Sequence, residues 1–387
     1  MTIIAIFLMA LRVWMAYLKI KKLAKTNRGD RVEKRIKIAL VIQRCGESVF
    51  GGAEKYILEL AKACLAHGAE VEVFSSQSTS YLQWNNNLPI NEMLFFSGCE
   101  CPLNIRRFPV QFSRQRIAFA FVRRVYSALN KVTKWAGLNS ILRNLFLIFQ
   151  GPWCPSLWKT IERECLNYDL FVFGGYLYAP SVKGADALKC LNKSVLIPMA
   201  HAEPEFYLPF VGELLANVEH LAYLSKAEQK LTELIWPDAK QKKKFFLPPG
   251  LNISMSEGLL EHPERVPERF LLYVGRVDRN KGVDFLLENI PADIPVVFAG
   301  DNSMEAASSE NRIFLGKVSD ELRDYLIRQA AALVIASRFE SYSMVTADAI
   351  AFGKPVLALR GCGPIDELLE AYGGYSVDSS QFAVWAR

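Results

Sequence analysis

The sequence predicts an α/β protein made of two successive βα arrays. Short apolar runs rich in Val and Ile recur between turn residues, as buried parallel strands require. Stretches with helical spacing fall between them and end on glycine. The alternation stops after Phe246–Gly250 at a polar linker with four acids, then restarts. Two arrays joined by a hinge predict two Rossmann-like domains with a cleft between them. A chain of 387 residues, 51% hydrophobic and 22% charged, has enough core for both.

The elements follow in order. Ile36–Gln43 reads as a strand, Gly51–Gly68 as a loop, a helix and its glycine cap, and Ala69–Ser75 as the next strand. Further strands are predicted at Tyr168–Gly175, Ser194–Ala200 and His220–Ser225, and a helix over Lys226–Trp236 closes the array. The second array has a strand at Arg269–Arg276, a helix at Gly282–Ile290, strands at Ile294–Gly300 and Asn311–Gly316, and a helix at Asp320–Ala330. The strand Ala332–Ser337 then leads through a loop holding Glu340 into a helix over Ser343–Phe352, capped by Gly353 and containing Asp348. Pro355–Leu359 is the next strand. The resulting division is a leader over 1–35, a first domain over 36–250 and a second over 251–387.

Charge is uneven. Residues 1–35 hold nine Lys/Arg against two Asp/Glu, so the rest of this +6 chain sums to about −1 and is not of nucleic-acid-binding type. The apolar run from Ile3 to Leu18 contains Arg12 and is shorter than the roughly 20 residues of a spanning helix. Arg12, Lys19 and Lys22 share a helical stripe, which suits a helix lying in a membrane interface; a start with no role is the other reading. Eight scattered cysteines read as reduced thiols of a cytosolic protein, and four unclustered histidines give no metal site.

Glu340 stands at the C-terminal end of a strand, the edge where open α/β sheets bind ligands. The N–H groups at the start of the following helix, near Ser341, Tyr342 and Ser343, can hold an anion. The plainer reading makes Glu340 a capping acid and Asp348 a surface charge. A dinucleotide-dependent dehydrogenase is disfavoured. The loop RCGESVFGGAEK lacks G-x-G-x-x-G, and the second strand ends in VFSSQ without the acid that would hold a ribose.

The stretches VIQRCGESVFGGAEKYILELAKACLAHGAEVEVFSS, SYLQWNNNLP, NIRRFPV, PMAHAEPEFYLP, LPPG, YVGRVDRNKGVDFL and RFESYSMVTADAIAFGKPVLA carry a resemblance over roughly residues 36–380. Together they resemble retaining glycosyltransferases of family four, which have the GT-B fold, and their bacterial O-antigen and surface-polysaccharide branch. The resemblance implies transfer of a sugar from a nucleotide-sugar donor to a lipid-linked glycan, without a further cofactor, by front-face substitution that retains the anomeric configuration. It implies that Glu340 meets the donor sugar and that Asp348, where the family has Glu, holds the ribose. Arg276 and Lys281 would neutralise the diphosphate, Gly51 and Gly52 would lie near diphosphate and acceptor, and His201 would touch the transferred sugar. Glu203 and Pro204 match the branch, and Gly361–Pro364 with Glu367 resembles a further phosphate-side loop. Family members continue past SSQFAVWAR with a closing segment, so the closing elements are expected to be missing here. Asp348 keeps open a second function, a catalytically impaired relative that only binds.

Residues 101–161 contain no acid and ten cations: Arg106, Arg107, Arg114, Arg116, Arg123, Arg124, Lys131, Lys134, Arg143 and Lys159. Phe119, Phe121, Trp135, Phe146, Phe149 and Trp153 are interleaved. An anionic membrane surface explains both, and with it a cytoplasmic protein peripheral on the inner face of the cell membrane. An ordinary solvated helical face is the alternative.

Overall fold

The computed structural model describes residues 35–49, 51–81, 83–129, 136–189, 191–250 and 263–386. Residues 1–34 of the leader, Lys131, Lys134 and Trp135 lie outside them. The described chain divides into two units, one of 35–224 and 228–250, the other of 225–227 and 263–386.

The elements up to residue 250 are β1 (Lys37–Val41), α1 (Gly52–Ala66), β2 (Glu70–Ser76), β3 (Asn91–Leu94), β4 (Leu103–Phe108), α2 (Arg116–Leu129), α3 (Ala136–Gln150), α4 (Pro155–Glu164), β5 (Leu170–Gly174), α5 (Ala179–Leu188), β6 (Ser194–Ile197), α6 (Pro209–Asn217), β7 (His220–Tyr223), α7 (Lys226–Ile235) and β8 (Lys243–Phe246). The strands form one sheet in the order β3-β4-β2-β1-β5-β6-β7-β8. Every pairing is parallel except that of β3 with β4. β1 and β5 are apolar and buried because helices cover both faces of a parallel sheet.

The second unit contains β9 (Leu271–Val274), α8 (Val283–Asn289), β10 (Val296–Ala299), β11 (Arg312–Gly316), α9 (Asp320–Gln329), β12 (Ala332–Ile335), α10 (Met344–Ala351), β13 (Val356–Leu359), α11 (Gly363–Tyr372), β14 (Tyr375–Val377) and α12 (Ser379–Trp385). Its sheet runs β11-β10-β9-β12-β13-β14, all parallel. The chain therefore has the predicted α/β architecture of two parallel-sheet Rossmann-like domains. The winding of the parallel strands reverses between β1 and β5 in the first sheet and between β9 and β12 in the second. Ligands of open α/β sheets bind beyond the C-terminal ends of the strands at that point.

The basic segment differs from its expectation. Arg106 pairs with Glu164 at 2.8 Å. Arg107 is fully buried in β4; it donates to the Cys45 carbonyl from Nε and Nη2 at 3.0 and 2.8 Å and pairs with Glu92. Arg114 donates to the Tyr81 carbonyl and to Gln150, Arg123 pairs with Glu205, and Arg143 bridges Asp186 and Glu213. Phe146 lies in the hydrophobic core, and Phe119, Phe149 and Trp153 pack against it. Five of the ten cations are thus paired within the unit, and four of the six aromatics belong to its core or pack against it.

Candidate active site

β9 ends at Val274, and the chain turns through Gly275–Lys281 before α8. Asp278 shapes the turn by accepting the Lys281 backbone N–H at 2.9 Å. Gly282 follows with φ 71°, and a Cβ there would stand 1.9 Å from the carbonyl oxygen of Ala336, at the end of β12. Only glycine lets the turn press against that strand end. The Arg338 N–H donates to the Asn280 carbonyl at 3.1 Å and fixes the contact. This close approach brings Lys281 Nζ to 2.7 Å from Glu340 Oε1. Two residues 59 positions apart thus meet at the reversal point of the sheet. Arg276, in the same turn, is 56% exposed and lies 3.2 Å from Asp278.

Beyond Glu340, Ser341 is half-buried and Tyr342 and Ser343 are buried. Ser343 adopts the left-handed conformation at φ 76° at the N-cap of α10, and its Oγ lies 2.8 Å from Thr346 Oγ1. Asp348 is half-buried within α10. It faces Arg323 of α9, which pairs with Asp320 and Asp324 at 2.6 Å each. Burial works to lower the Arg323 guanidinium, and the charges of Asp348, Asp320 and Asp324 outweigh it and leave it raised. Glu367 is engaged with main chain: it accepts the N–H groups of Lys226 and Ala227, at 3.2 and 2.9 Å.

In the other unit, Gly51 and Gly52 open α1 and have different reasons to be glycine. A Cβ on Gly51 would stand 2.1 Å from Glu54 Oε2, whereas one on Gly52 would meet nothing within 4 Å. Glu54 is 2% exposed. Its Oε1 accepts from Gln43 Nε2 at 3.0 Å, Arg44 Nε at 3.0 Å and the Tyr81 hydroxyl at 2.6 Å. The Arg44 guanidinium also stacks 3.4 Å over the Tyr81 ring. Gly51 thus sits on a buried charged cluster beyond the end of β1.

His201 follows β6. The Ala200 N–H donates to Glu228 Oε1 at 2.7 Å, and the Leu224 N–H to Glu228 Oε2 at 2.6 Å. This buried carboxylate ties the ends of β6 and β7 and sets the backbone just before His201. His201 Nδ1 lies 3.4 Å from Glu203 Oε1, and the Tyr176 hydroxyl donates to the same oxygen. Burial raises the Glu203 carboxyl, while His201 and Tyr176 oppose the rise. Arg123 of α2 pairs with the neighbouring Glu205 at 2.8 Å.

Arg44, Glu54, Tyr81 and Tyr176 do not stand out in the sequence, because their partners lie 10 to 27 positions away. For Arg323, which has Asp320 and Asp324 beside it, only the approach of Asp348 is non-local. Glu54 lies in the GGAEK stretch, but no local signal marks it as a buried acid. Among the described residues no group of three or more His, Cys, Asp or Glu could hold a metal ion, and seven cysteines are free thiols.

Residues 260–387, a third of the chain, match the family described as glycosyl transferases group 1. An α-1,3/1,6-mannosyltransferase, alg-2 of Neurospora crassa, is 26% identical over 126 residues, 33% of this chain. The match spans about a quarter of that relative's length, 26%. The sucrose-phosphate synthase of Thermosynechococcus elongatus superposes with a TM-score of 0.65 at 16% identity, over 91% of this chain and 88% of that one. HepE of Anabaena, solved in complex with UDP-glucose, superposes with a TM-score of 0.59 at 16% identity, over 91% and 89%. At such identities the likeness is one of fold: the chain has the GT-B fold, and its second unit carries the match to glycosyl transferases group 1.

Proposed function

We propose that the protein is a retaining glycosyltransferase of family four. It would move a hexose from a nucleotide-sugar donor to a lipid-linked glycan acceptor in bacterial surface-polysaccharide synthesis, at the inner face of the cell membrane. The observation that carries the reading is the Lys281–Glu340 pair at the reversal point of the second sheet, inside the segment matched to glycosyl transferases group 1. Cleavage of the donor leaves a nucleoside diphosphate that gains negative charge. Lys281, Arg276 and the N–H groups near Ser341, Tyr342 and Ser343 would stabilise that charge. Glu340 would meet the sugar as it gains positive character, Asp348 would accept ribose hydroxyls, and His201 with the Gly51–Gly52 turn would serve the sugar and acceptor side. The departing phosphate would take the acceptor proton, so no protein nucleophile is required. HepE makes UDP-sugars the first donors to test.

Release of nucleoside diphosphate from a donor panel, with and without lipid-linked acceptors, tests the reading. The wild type should turn over one donor, and Glu340→Gln should lower that rate about a hundredfold. Full activity in Glu340→Gln would overturn the site. The second reading, a relative that binds without transfer, is favoured by one feature: Asp348 is shorter than the family's Glu and faces Arg323. Donor binding without release in the same panel would support it.

A further inference from the structure

The turn that carries Lys281 and the loop that carries Glu340 are joined twice by charge. Lys281 Nζ lies 2.7 Å from Glu340 Oε1. In the opposite sense, Arg338 Nη2 lies 3.0 Å from Oδ2 of Asp284, in the first turn of α8. Each segment thus gives one cation and one carboxylate. The backbones are tied as well, since the Arg338 N–H donates to the Asn280 carbonyl at 3.1 Å. Asp284 Oδ1 is buried and has no hydrogen-bond partner among the described residues, so the carboxylate is held through Oδ2 and Arg338.

We propose that Asp284 and Arg338 are positioning residues for Glu340: their pair holds the Glu340 loop against α8 when a diphosphate draws on Lys281. The inference rests on the reading of Glu340 as the acid that meets the donor sugar. Residues 336–340 lie in neither strand nor helix, so side-chain and backbone ties decide their place. Glu340 is two residues beyond Arg338, and fixing Arg338 limits how far the Glu340 carboxylate can drift. A diphosphate that shares the Lys281 ammonium competes with Glu340 for it and weakens the first pair. The second pair takes no part in the proposed chemistry and keeps its strength. Position matters at a reacting centre, where a misplacement of about 1 Å can cost about a hundredfold in rate.

Amide hydrogen exchange of the full chain, read by mass spectrometry, follows the loop, and release of UDP from UDP-glucose follows the consequence. Arg338→Met and Asp284→Asn should each speed exchange over 337–343 about fivefold, while peptides of the first domain stay unchanged. Each should lower kcat for UDP-glucose about tenfold and leave KM within about twofold. The double variant should be no worse than either single one, because the same pair is lost in all three. Arg338→Lys should keep most of both properties, and Asp284→Arg with Arg338→Asp should restore part of them. Thermal melts establish that each variant is folded. Loop exchange or kcat unmoved in both single variants, or losses that multiply in the double one, would overturn the proposal. So would weaker UDP binding in Arg338→Met with tighter binding in Asp284→Asn, which would make Arg338 a direct ligand of the diphosphate. The exchange needs no turnover. Faster loop exchange in variants of a protein that transfers no sugar would refute the transferase reading and leave the pair's hold on the loop standing.

Discussion

Glu340→Gln separates the charge of the carboxylate from its shape, and its effect on nucleotide binding can be worked out from the structure. Lys281 Nζ already lies 2.7 Å from Glu340. A diphosphate oxygen on the far side of the ammonium, at about 2.8 Å, would stand at most about 5.5 Å from the carboxylate. At an effective dielectric near 40, between water and a protein surface, two such charges repel by about 1.5 kcal/mol. The Lys281 and Glu340 side chains are 25% and 17% exposed, so the site is neither dry nor bathed in solvent. Removing the charge should tighten nucleoside diphosphate binding roughly tenfold, while turnover of a donor falls about a hundredfold. Calorimetric titration with UDP, GDP and ADP measures the first effect, and repetition at high salt should shrink it by screening. Lys281→Ala should move affinity the other way. Unchanged or weaker diphosphate binding in Glu340→Gln would refute the view that Glu340 competes for the cation.

Gly51→Ala should cost about 1–3 kcal/mol in urea unfolding, because the new methyl meets the buried Glu54 carboxylate. Gly52→Ala should be neutral or stabilise by up to about 1 kcal/mol, so any activity it loses reports ligand approach. His220, buried in β7, has its imidazole pKa lowered by burial, with Lys243 adding and Glu219 opposing. The unfolded chain then binds this proton first, near about 6.5. Stability should hold above that value and fall as pH drops below it; His220→Gln should flatten the slope, and equal slopes would disprove the assignment.

The strands at the centres of both sheets were legible in the sequence, because burial on both faces makes them continuous apolar runs. β4 was not: LNIRRF holds two arginines, and it becomes a strand because Arg107 finds the Cys45 carbonyl and Glu92. β3 and β14 are edge strands with little apolar pattern. Helices α2 to α6 were also missed as elements, since α2 and α3 were judged by charge and aromatics rather than by period. Within the site, residue types and their place after strands could be read, but the approach of Lys281 to Glu340 could not. It depends on Gly282 pressing against Ala336, a contact between elements 54 residues apart.

The acid-free run over 101–161 reads as a one-sign surface only because a sequence window counts local charge. Its counter-ions come from outside the window: Glu92, Glu164, Asp186, Glu205 and Glu213. Three of the described cations, Arg116, Arg124 and Lys159, are exposed. Two of them lie on α2, whose Ile117 and Phe121 are 89% and 67% exposed. Ile117 and Phe121 are four apart and share a face. A membrane-docking surface in this unit therefore contracts to that edge of α2, with apolar side chains flanked by cations. Arg123 is not used as the probe, since reversing it would also break the Glu205 pair beside Glu203. Each cation near an anionic leaflet contributes about 1 kcal/mol. Arg116→Glu with Arg124→Glu should thus lower binding to phosphatidylserine vesicles at least about thirtyfold at low salt. Donor affinity should stay unchanged, since neither residue touches the site. Vesicle co-sedimentation measures the effect, and binding equal to wild type would show that α2 is an ordinary solvated helix.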